Sequence, residues 1–401
     1  MFNSLKFKVI LFGFIFTFFS SFGQSYFLGL FNSSIREALS ITHGQFGSIY
    51  ASATLCSSLL LIWVGKKIDD VNIFKFAFFV TVLLSFACFF FSRITSVFLL
   101  FVAIFLMRFS GQGMMSHTAS TTISRYFTRT RGKALSISWF GLSSAEFIMP
   151  VLMVYLLTII DWQNLWLIFS ITVLIVLPIA SFLLIKNLNL DSREANDENI
   201  KEVEIKQWKR IEVIKDYRFY IISSNMLAMP WIFTGFAVFQ SFIQTSKGWG
   251  PYVIAQSFMS YSIFSVLTLF LSGFLIDKYS SRKLLIYMNI PLLLSVIVLF
   301  SFDTPVTAFV FLGLVGISNG FANILGSSTW AELYGVKYLG SIKALTTALM
   351  VFATAFGTAL FGYLIDIGFT VGDIAVVSGT YIFISLILLF FVRKKLNPVI
   401  I

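Results

Sequence analysis

The chain predicts an all-α membrane protein: twelve transmembrane helices in two six-helix, pseudo-symmetric halves. Three observations predict it. First, hydrophobic residues are 58% of the 401 residues and charged residues only 12%, about half the charged share of a soluble domain. Such a chain, with 49 Phe, has no way to hide its apolar surface in water, so the bilayer is its solvent. Second, twelve apolar runs are each long enough to cross about 30 Å of hydrocarbon at about 1.5 Å per residue. Third, a short pattern occurs twice. Gly65 and Asp69 return as Gly273 and Asp277, and Gly132 returns as Gly340, all at a separation of 208 residues. Three matches at one offset read as one membrane module written twice, its halves related by a pseudo-two-fold axis along the membrane normal.

The first run follows Lys6 and Lys8 and extends to about residue 31. It is too long for the apolar core of a signal peptide, and its removal would break the repeat. Further runs lie near 46–64, 73–92, 96–117, 133–158 and 164–185, then near 217–244, 252–276, 283–301, 304–330, 341–364 and 371–392. The halves are therefore 1–185 and 217–401, joined by 186–216. With both termini in the cytoplasm, 25 of the 29 Lys and Arg lie on that side, Arg36, Arg93 and Lys247 lie outside, and Arg108 is inside a run. No other orientation approaches this asymmetry. It also accounts for the net charge of +11 without nucleic acid.

The connecting segment holds eight of the eighteen acids. Ile200, Val203, Trp208, Ile211 and Ile214 recur in it at near-helical spacing among Lys and Glu. That pattern predicts an amphipathic helix on the cytoplasmic membrane surface. The segment reads as a solvated linker between moving halves, with a regulatory partner site as the alternative.

Both copies of the repeated pattern close one run and precede another. A Gly near the end of a membrane helix admits a close neighbour. One turn later an Asp leaves the hydrocarbon, and basic residues beyond it can pair with that Asp. Gly65 and Asp69, with Gly273, Asp277, Lys278 and Arg282, thus form two candidate cytoplasmic latches. Glu332, near the inner end of the tenth run, fits the second as a partner of Lys337, Lys343 or the basic residues at 278–283.

These residues resemble the cytoplasmic loop signature of the major facilitator superfamily. The second copy matches in Asp277-Lys278 and Arg282-Lys283, while the first has Asp70 where a basic residue is usual and Asn72 where a Gly is usual. Arg108-Phe109-Ser110-Gly111-Gln112-Gly113 resembles the superfamily's helix 4 signature. Arg131-Gly132-Lys133-Ala134, with Gly141 and Pro150, resembles helix 5. The resemblance covers essentially the whole chain. Phe22-Gly23-Gln24-Ser25, Gly248-Trp249 and Gly357 with Gly362-Tyr363-Leu364-Ile365-Asp366 look most like the bacterial branch similar to monocarboxylate transporters. The resemblance implies secondary transport by alternating access, with a solute site between the halves lined by spans 1, 4, 7 and 10, in a bacterial cytoplasmic membrane. It also implicates the helix 4 Arg in proton coupling.

Ionisable groups inside membrane spans are costly, so they are candidate functional groups. Arg108 and Glu146 both reach the bilayer middle on sequential runs. One reading is a buried ion pair that holds runs 4 and 5 together. The other is that Arg108 binds an anion and Glu146 accepts a proton: burial favours the neutral acid and a nearby Arg the carboxylate, so a solute that occupies Arg108 promotes protonation of Glu146. His117 falls near the cytoplasmic interface, with a proton relay as its alternative role.

Polar residues at helical spacing mark candidate cavity faces. Arg108, Gln112 and Ser116 share a stripe, as do Asn319, Asn323 and Ser327. Gln240 and Gln244 mark run 7, Gln256 and Ser260 run 8, and Gln24, Ser25 and Tyr26 run 1. For each amide the alternative to solute contact is a hydrogen bond between helices. Pro230 and Pro150 are candidate kink sites, the former aiming Trp231 at the cavity.

No phosphate-binding loop, metal-ligand pair or nucleophile elbow is present, and Cys56 and Cys88 lie inside apolar runs. Neither enzymatic activity nor a cofactor or metal is expected. The sequence is read as a monomeric, proton-coupled carrier of a small organic anion such as a monocarboxylate. The alternatives are an efflux carrier for amphipathic drugs, an importer of a heterocyclic vitamin, or a non-transporting membrane sensor.

Overall fold

The computed structural model describes residues 5–127, 130–186 and 206–398. Among them all regular structure is helical. Twelve helices are long and apolar enough to cross a membrane: α1 Leu5–Gly29, α2 His43–Ile68, α3 Ile73–Phe91, α4 Val97–Tyr126, α5 Gly132–Leu156, α6 Trp162–Ile185, α7 Tyr217–Val238, α8 Val253–Ile276, α9 Ser281–Ser301, α10 Pro305–Tyr334, α11 Leu339–Asp366 and α12 Val371–Lys395. They form two compact units, Met1–Asn199 and Ile200–Ile401.

In the N-terminal unit α1 lies along α5, α3 along α6 and α2 beside α4. In the C-terminal unit the same pairs recur six helices later: α7 with α11, α9 with α12 and α8 with α10. The sequence repeat therefore carries a repeated packing scheme.

Helices in hydrocarbon gain no hydrophobic drive toward each other, so small residues and hydrogen bonds hold them. A Cβ at Gly141 of α5 would strike the Phe14 carbonyl and the Thr17 hydroxyl of α1, and Thr17 Oγ1 donates to Ser138 O at 2.5 Å. Between α3 and α6, Ser85 and Ser170 each donate to the other's carbonyl, at 2.9 and 2.8 Å. In the C-terminal unit, Gly357 of α11 sits on the Trp231 carbonyl of α7, and Gly316 and Gly320 of α10 sit on the Tyr261 and Ser265 carbonyls of α8.

Four helices are interrupted. α1 tightens to a 3-10 turn over Ser20–Gly23 and is extended at Gln24, then resumes over Ser25–Gly29. In α4, Arg108–Met115 is wound as a π-helix. α9 breaks at Asn289, whose Nδ2 donates to Asn225 O at 2.6 Å. Ser318 takes up the Met288 carbonyl that this break frees, at 2.7 Å. α7 stops at Phe239 and chain helicity resumes over Gln240–Ser246. Its interruption is thus nine residues beyond Pro230, through which the helix runs unbroken, as α5 does through Pro150. Trp231 is not aimed at an open cavity: it is buried against Phe356, Phe361 and Tyr381.

Of the connecting segment, residues 206–216 are described, and Ile200 and Val203 lie outside the described residues. A short helix spans Arg210–Lys215. Its buried apolar residue is Val213, which the expected stripe omitted, while Ile211 and Ile214 remain exposed. The reason is a docking contact. Trp208 N donates to the end-of-helix carbonyl of Tyr334 at 3.0 Å, and Lys337 N donates to Gln207 Oε1 at 2.9 Å. Gly335 has φ of 82°, and a Cβ there would overlap the Gln207 amide.

The packing predicts a contrast between two glycines. Gly357→Ala drives a Cβ into the Trp231 carbonyl and is expected to cost about 1–3 kcal/mol, as overpacking does. Gly132→Ala meets nothing within 4 Å and is expected to be neutral or stabilising by up to about 1 kcal/mol, since Ala is the better helix former. Apparent unfolding temperatures of the two purified variants in detergent check this.

Candidate functional site

The break in α1 and the π-segment of α4 face each other. Gly23 and Gly111 make this possible: a Cβ on Gly111 would lie 2.6 Å from Gly23 N and 2.8 Å from Gly23 Cα. With the helix interrupted, the Gly23 carbonyl is free to accept from a side chain. It accepts from Arg108 Nη1 at 3.0 Å.

The same Nη1 donates to Ser25 Oγ at 3.2 Å. Ser25 Oγ also accepts from the Tyr50 hydroxyl of α2 at 2.9 Å, and the Arg108 guanidinium lies 5.4 Å from the centre of the Tyr50 ring. The side chain is thereby held on one nitrogen and one face. Nε is buried without a partner, and no hydrogen bond reaches Nη2 among the described residues. Those two nitrogens form the side-on edge of the guanidinium, the edge that grips a planar pair of oxygens.

Glu146 on α5 is also buried. The expected ion pair with Arg108 is not made: neither residue forms a salt bridge or hydrogen bond to the other. Among the described residues Glu146 has no hydrogen-bond or ion-pair partner. Its electrostatic neighbour is Tyr26, which is buried on the Ser25–Gly29 segment that packs on α5. The direct pair fails because the α1 break supplies Arg108 with neutral acceptors first.

The π-winding also displaces the expected stripe. Arg108 is buried, whereas Gln112 and Ser116 are half-exposed, because a π-turn puts more than four residues in each turn. Gln24, at the extended residue of the break, is half-exposed.

The C-terminal candidates scatter. Gln240 is buried, with Nε2 donating to Ala237 O at 2.9 Å, and it borders an aromatic cavity with Phe233, Phe236, Trp249 and Phe258. Asn319 Nδ2 donates to Ser265 Oγ at 2.9 Å, joining α10 to α8. Gln256 and Asn323 are exposed on α8 and α10. These residues do not converge on one point within their unit.

The latch residues fall into two unlike groups. In the first loop, Gly65 faces the His117 ring, and His117 Nε2 and Gly65 O are 2.9 Å apart. Gly273 faces open space, so the close approach expected there is not made. The side chains of Asp69 and Asp277 lie outside the described residues. Lys278 sits over the Tyr279 ring. Glu332 caps α9: its two oxygens accept from Ser281 N at 2.8 Å and Arg282 N at 3.4 Å, with Arg282 Nε 3.4 Å away.

Sequence reasoning missed the rest of this end of the unit. Asp216 accepts from Arg218 Nε at 2.8 Å and from the Tyr334 hydroxyl at 3.1 Å. Arg218 Nη1 donates to Asn397 O at 2.9 Å, and Arg282 Nη1 donates to Leu396 O at 2.8 Å. The connecting segment and the residues after α12 are therefore bound to the ends of α7, α9 and α10. Nearby, the backbone N–H of Lys209, followed by Lys206, holds the exposed Glu212 carboxyl below the usual range. Tyr50 and the Gly23 carbonyl were missed as well. The available signal was Gly23 itself, next to an amide-rich stretch inside an apolar run.

A family model described as Major Facilitator Superfamily matches residues 13–258 and 221–400. The chain belongs to that superfamily: it is an integral, multi-pass membrane protein and a secondary transporter. Comparison with curated proteins gives no match. Among solved structures, the chain resembles a bacterial homologue of the human lysosomal transporter Spinster in an inward-facing, unoccupied conformation. The TM-score is 0.73 at 13% identity, with 98% of each chain covered. It also resembles the nucleoside transporter NupG, with a TM-score of 0.70 at 15% identity, covering 98% of this chain and 99% of that one. At these identities the likeness is one of fold.

The cap on α9 gives a local prediction. In Glu332→Gln the charge-assisted bonds to Ser281 and Arg282 become neutral ones, and hydrogen exchange of those two amides is expected to rise about tenfold, about 1.4 kcal/mol of local protection. Mass-spectrometric exchange over residues 279–284 checks it.

Proposed function

We propose that the protein carries a small organic anion bearing a carboxylate, together with a proton. The observation that supports this best is the side-on edge of Arg108. Buried cations are kept only when paired or functional, and this one is anchored by neutral groups that leave a fork-shaped donor pair without an acceptor. A carboxylate supplies two oxygens at that spacing and the missing negative charge. Glu146, a buried carboxyl without a fixed partner, is a group that can take up and release the co-transported proton.

The monocarboxylate-like branch agrees with this reading through the segment Phe22 to Ser25, which contains two of the groups around Arg108. Gln24, Tyr26 and Gln112 stand on the same two helices and are the proposed neighbours of the solute. Gln240, Gln256, Asn319 and Asn323 remain proposed contacts from the C-terminal unit. The charge asymmetry supports a bacterial cytoplasmic membrane with both termini inside. The loops at 65–75 and 273–283, with Glu332, are the proposed latches of a monomeric carrier.

The test is a solute screen in proteoliposomes on a sensor surface, with pulses of carboxylates, nucleosides, heterocyclic vitamins and amphipathic cations. Carboxylate currents are expected in the native chain and are lost in Arg108→Gln. Arg108→Lys keeps the charge but not the fork, and is expected to weaken apparent affinity about 10- to 100-fold. Signals from neutral or cationic solutes alone would sink the anion reading. Glu146→Gln is expected to remove the dependence of the current on a proton gradient.

A further inference from the structure

The expected route for coupling, a direct Arg108–Glu146 pair, is absent, yet the two groups are not isolated. Arg108 and the helix that carries Glu146 both adjoin the same break in α1. Gly23 O and Ser25 Oγ hold Arg108 Nη1. Tyr26, the next residue, is buried on the Ser25–Gly29 segment that packs on α5, the helix that carries the buried Glu146, within electrostatic reach of that acid. The peptide between Ser25 and Tyr26 is thus a covalent link between the anchor of the cation and the neighbour of the acid. Resting on the anion reading above, we propose that the α1 break, Gly23 to Tyr26, transmits anion occupancy at Arg108 to Glu146, with Ser25 and Tyr26 as positioning residues.

Two further features favour this segment. The extended Gln24 lets the backbone turn there without unwinding a whole helix. The residues around it, in contrast, are clamped. Phe22 and Phe27 on either side of the break pack with Trp166 and Phe169 of α6, and the Gly23–Gly111 contact leaves no slack against α4. A shift in Arg108 therefore passes into the break instead of dissipating in loose packing. The second feature is the double use of Ser25 Oγ, which accepts from both Arg108 and Tyr50. An anion on the side-on edge draws the guanidinium toward itself and competes with Nη1 for its neutral acceptors. When Ser25 loses one donor, the Ser25–Tyr26 peptide and the Tyr26 side chain change position relative to Glu146. Glu146 then takes a proton from hydronium of the aqueous phase, forming its O–H bond and leaving water, and returns it to water when the anion leaves.

The experiment uses the full-length protein in liposomes, with lactate and benzoate as probes. Infrared difference spectra record the carboxyl band that appears on anion addition, and Glu146→Gln assigns it. Thermal stabilisation by the same anions is recorded alongside. Ser25→Ala removes the shared acceptor and is expected to reduce the Glu146 band to less than about a fifth of its native size. Ser25→Thr, which keeps a hydroxyl, restores it. Tyr26→Phe reduces it likewise, and Ser25→Ala combined with Tyr26→Phe is no worse than either alone, as for residues on one route. A native-sized band in both Ser25→Ala and Tyr26→Phe, abolished only by Arg108→Gln, overturns the proposal. Stabilisation by anions with no Glu146 band in the native protein leaves the anion reading standing and overturns the transmission. Absence of both responses overturns the anion reading and the transmission with it.

Discussion

A guanidinium inside a membrane unit needs acceptors, and Arg108 takes its acceptors from backbone and hydroxyl, not from an acid. Much of the N-terminal unit is shaped by that choice. A continuous α1 would have spent the Gly23 carbonyl on its own helix. The 3-10 turn at Ser20–Gly23 and the extended Gln24 free it, and the cost of the break is offset by the bond to Arg108. The approach of α1 to α4 then has to be close enough for a 3.0 Å bond. Gly23 and Gly111 permit this, because any side chain at either place would meet backbone. The π-winding of α4 from Arg108 onward belongs to the same compromise: it widens the helix where a neighbour's backbone presses against it.

The same economy governs the C-terminal unit, with different residues. Asn289 interrupts α9 and donates its side-chain amide to the Asn225 carbonyl, and Ser318 satisfies the Met288 carbonyl that the interruption exposes. Gly357, Gly316 and Gly320 let α7 and α8 touch their partners through backbone. In both units the polar groups inside the bundle fall into two kinds. Some, such as Ser85–Ser170 and Asn319–Ser265, close on each other and bind helices together. Others, among them the Nε–Nη2 edge of Arg108 and the carboxyl of Glu146, have no hydrogen-bond partner among the described residues. It is on this second kind that the proposed binding and coupling rest.

The ends of the C-terminal unit show how a short polar segment is tied down outside the hydrocarbon. Val213 and Leu396 are both buried in one cluster with Leu285, Trp330 and Tyr334. Arg218 and Arg282 each hold an acid with one part of the guanidinium and the chain after α12 with another. The connecting segment is thus anchored to this unit by its last ten residues, and its end is a structural part of the second module.

The number of helices, their order and the two-fold repeat were legible because hydrocarbon thickness and the offset of Gly65, Asp69 and Gly132 are one-dimensional facts. That Arg108 and Glu146 are ionisable groups inside the membrane spans was legible too, since a charge in an apolar run is costly wherever the run folds. Their relation to each other was not. Equal depth on sequential helices suggested a pair, and the geometry instead gave Arg108 to Gly23 and Ser25 and left Glu146 beside Tyr26. Likewise the stripe Arg108–Gln112–Ser116 assumed an α-helical period that the π-segment does not keep, and Trp231 turned into its own unit because Gly357 brings α11 up against α7. Periodicity and hydropathy determine which segments enter the membrane. Which backbone carbonyl is freed, and which side chain reaches it, depends on contacts between residues some eighty positions apart, and only the packed helices decide that.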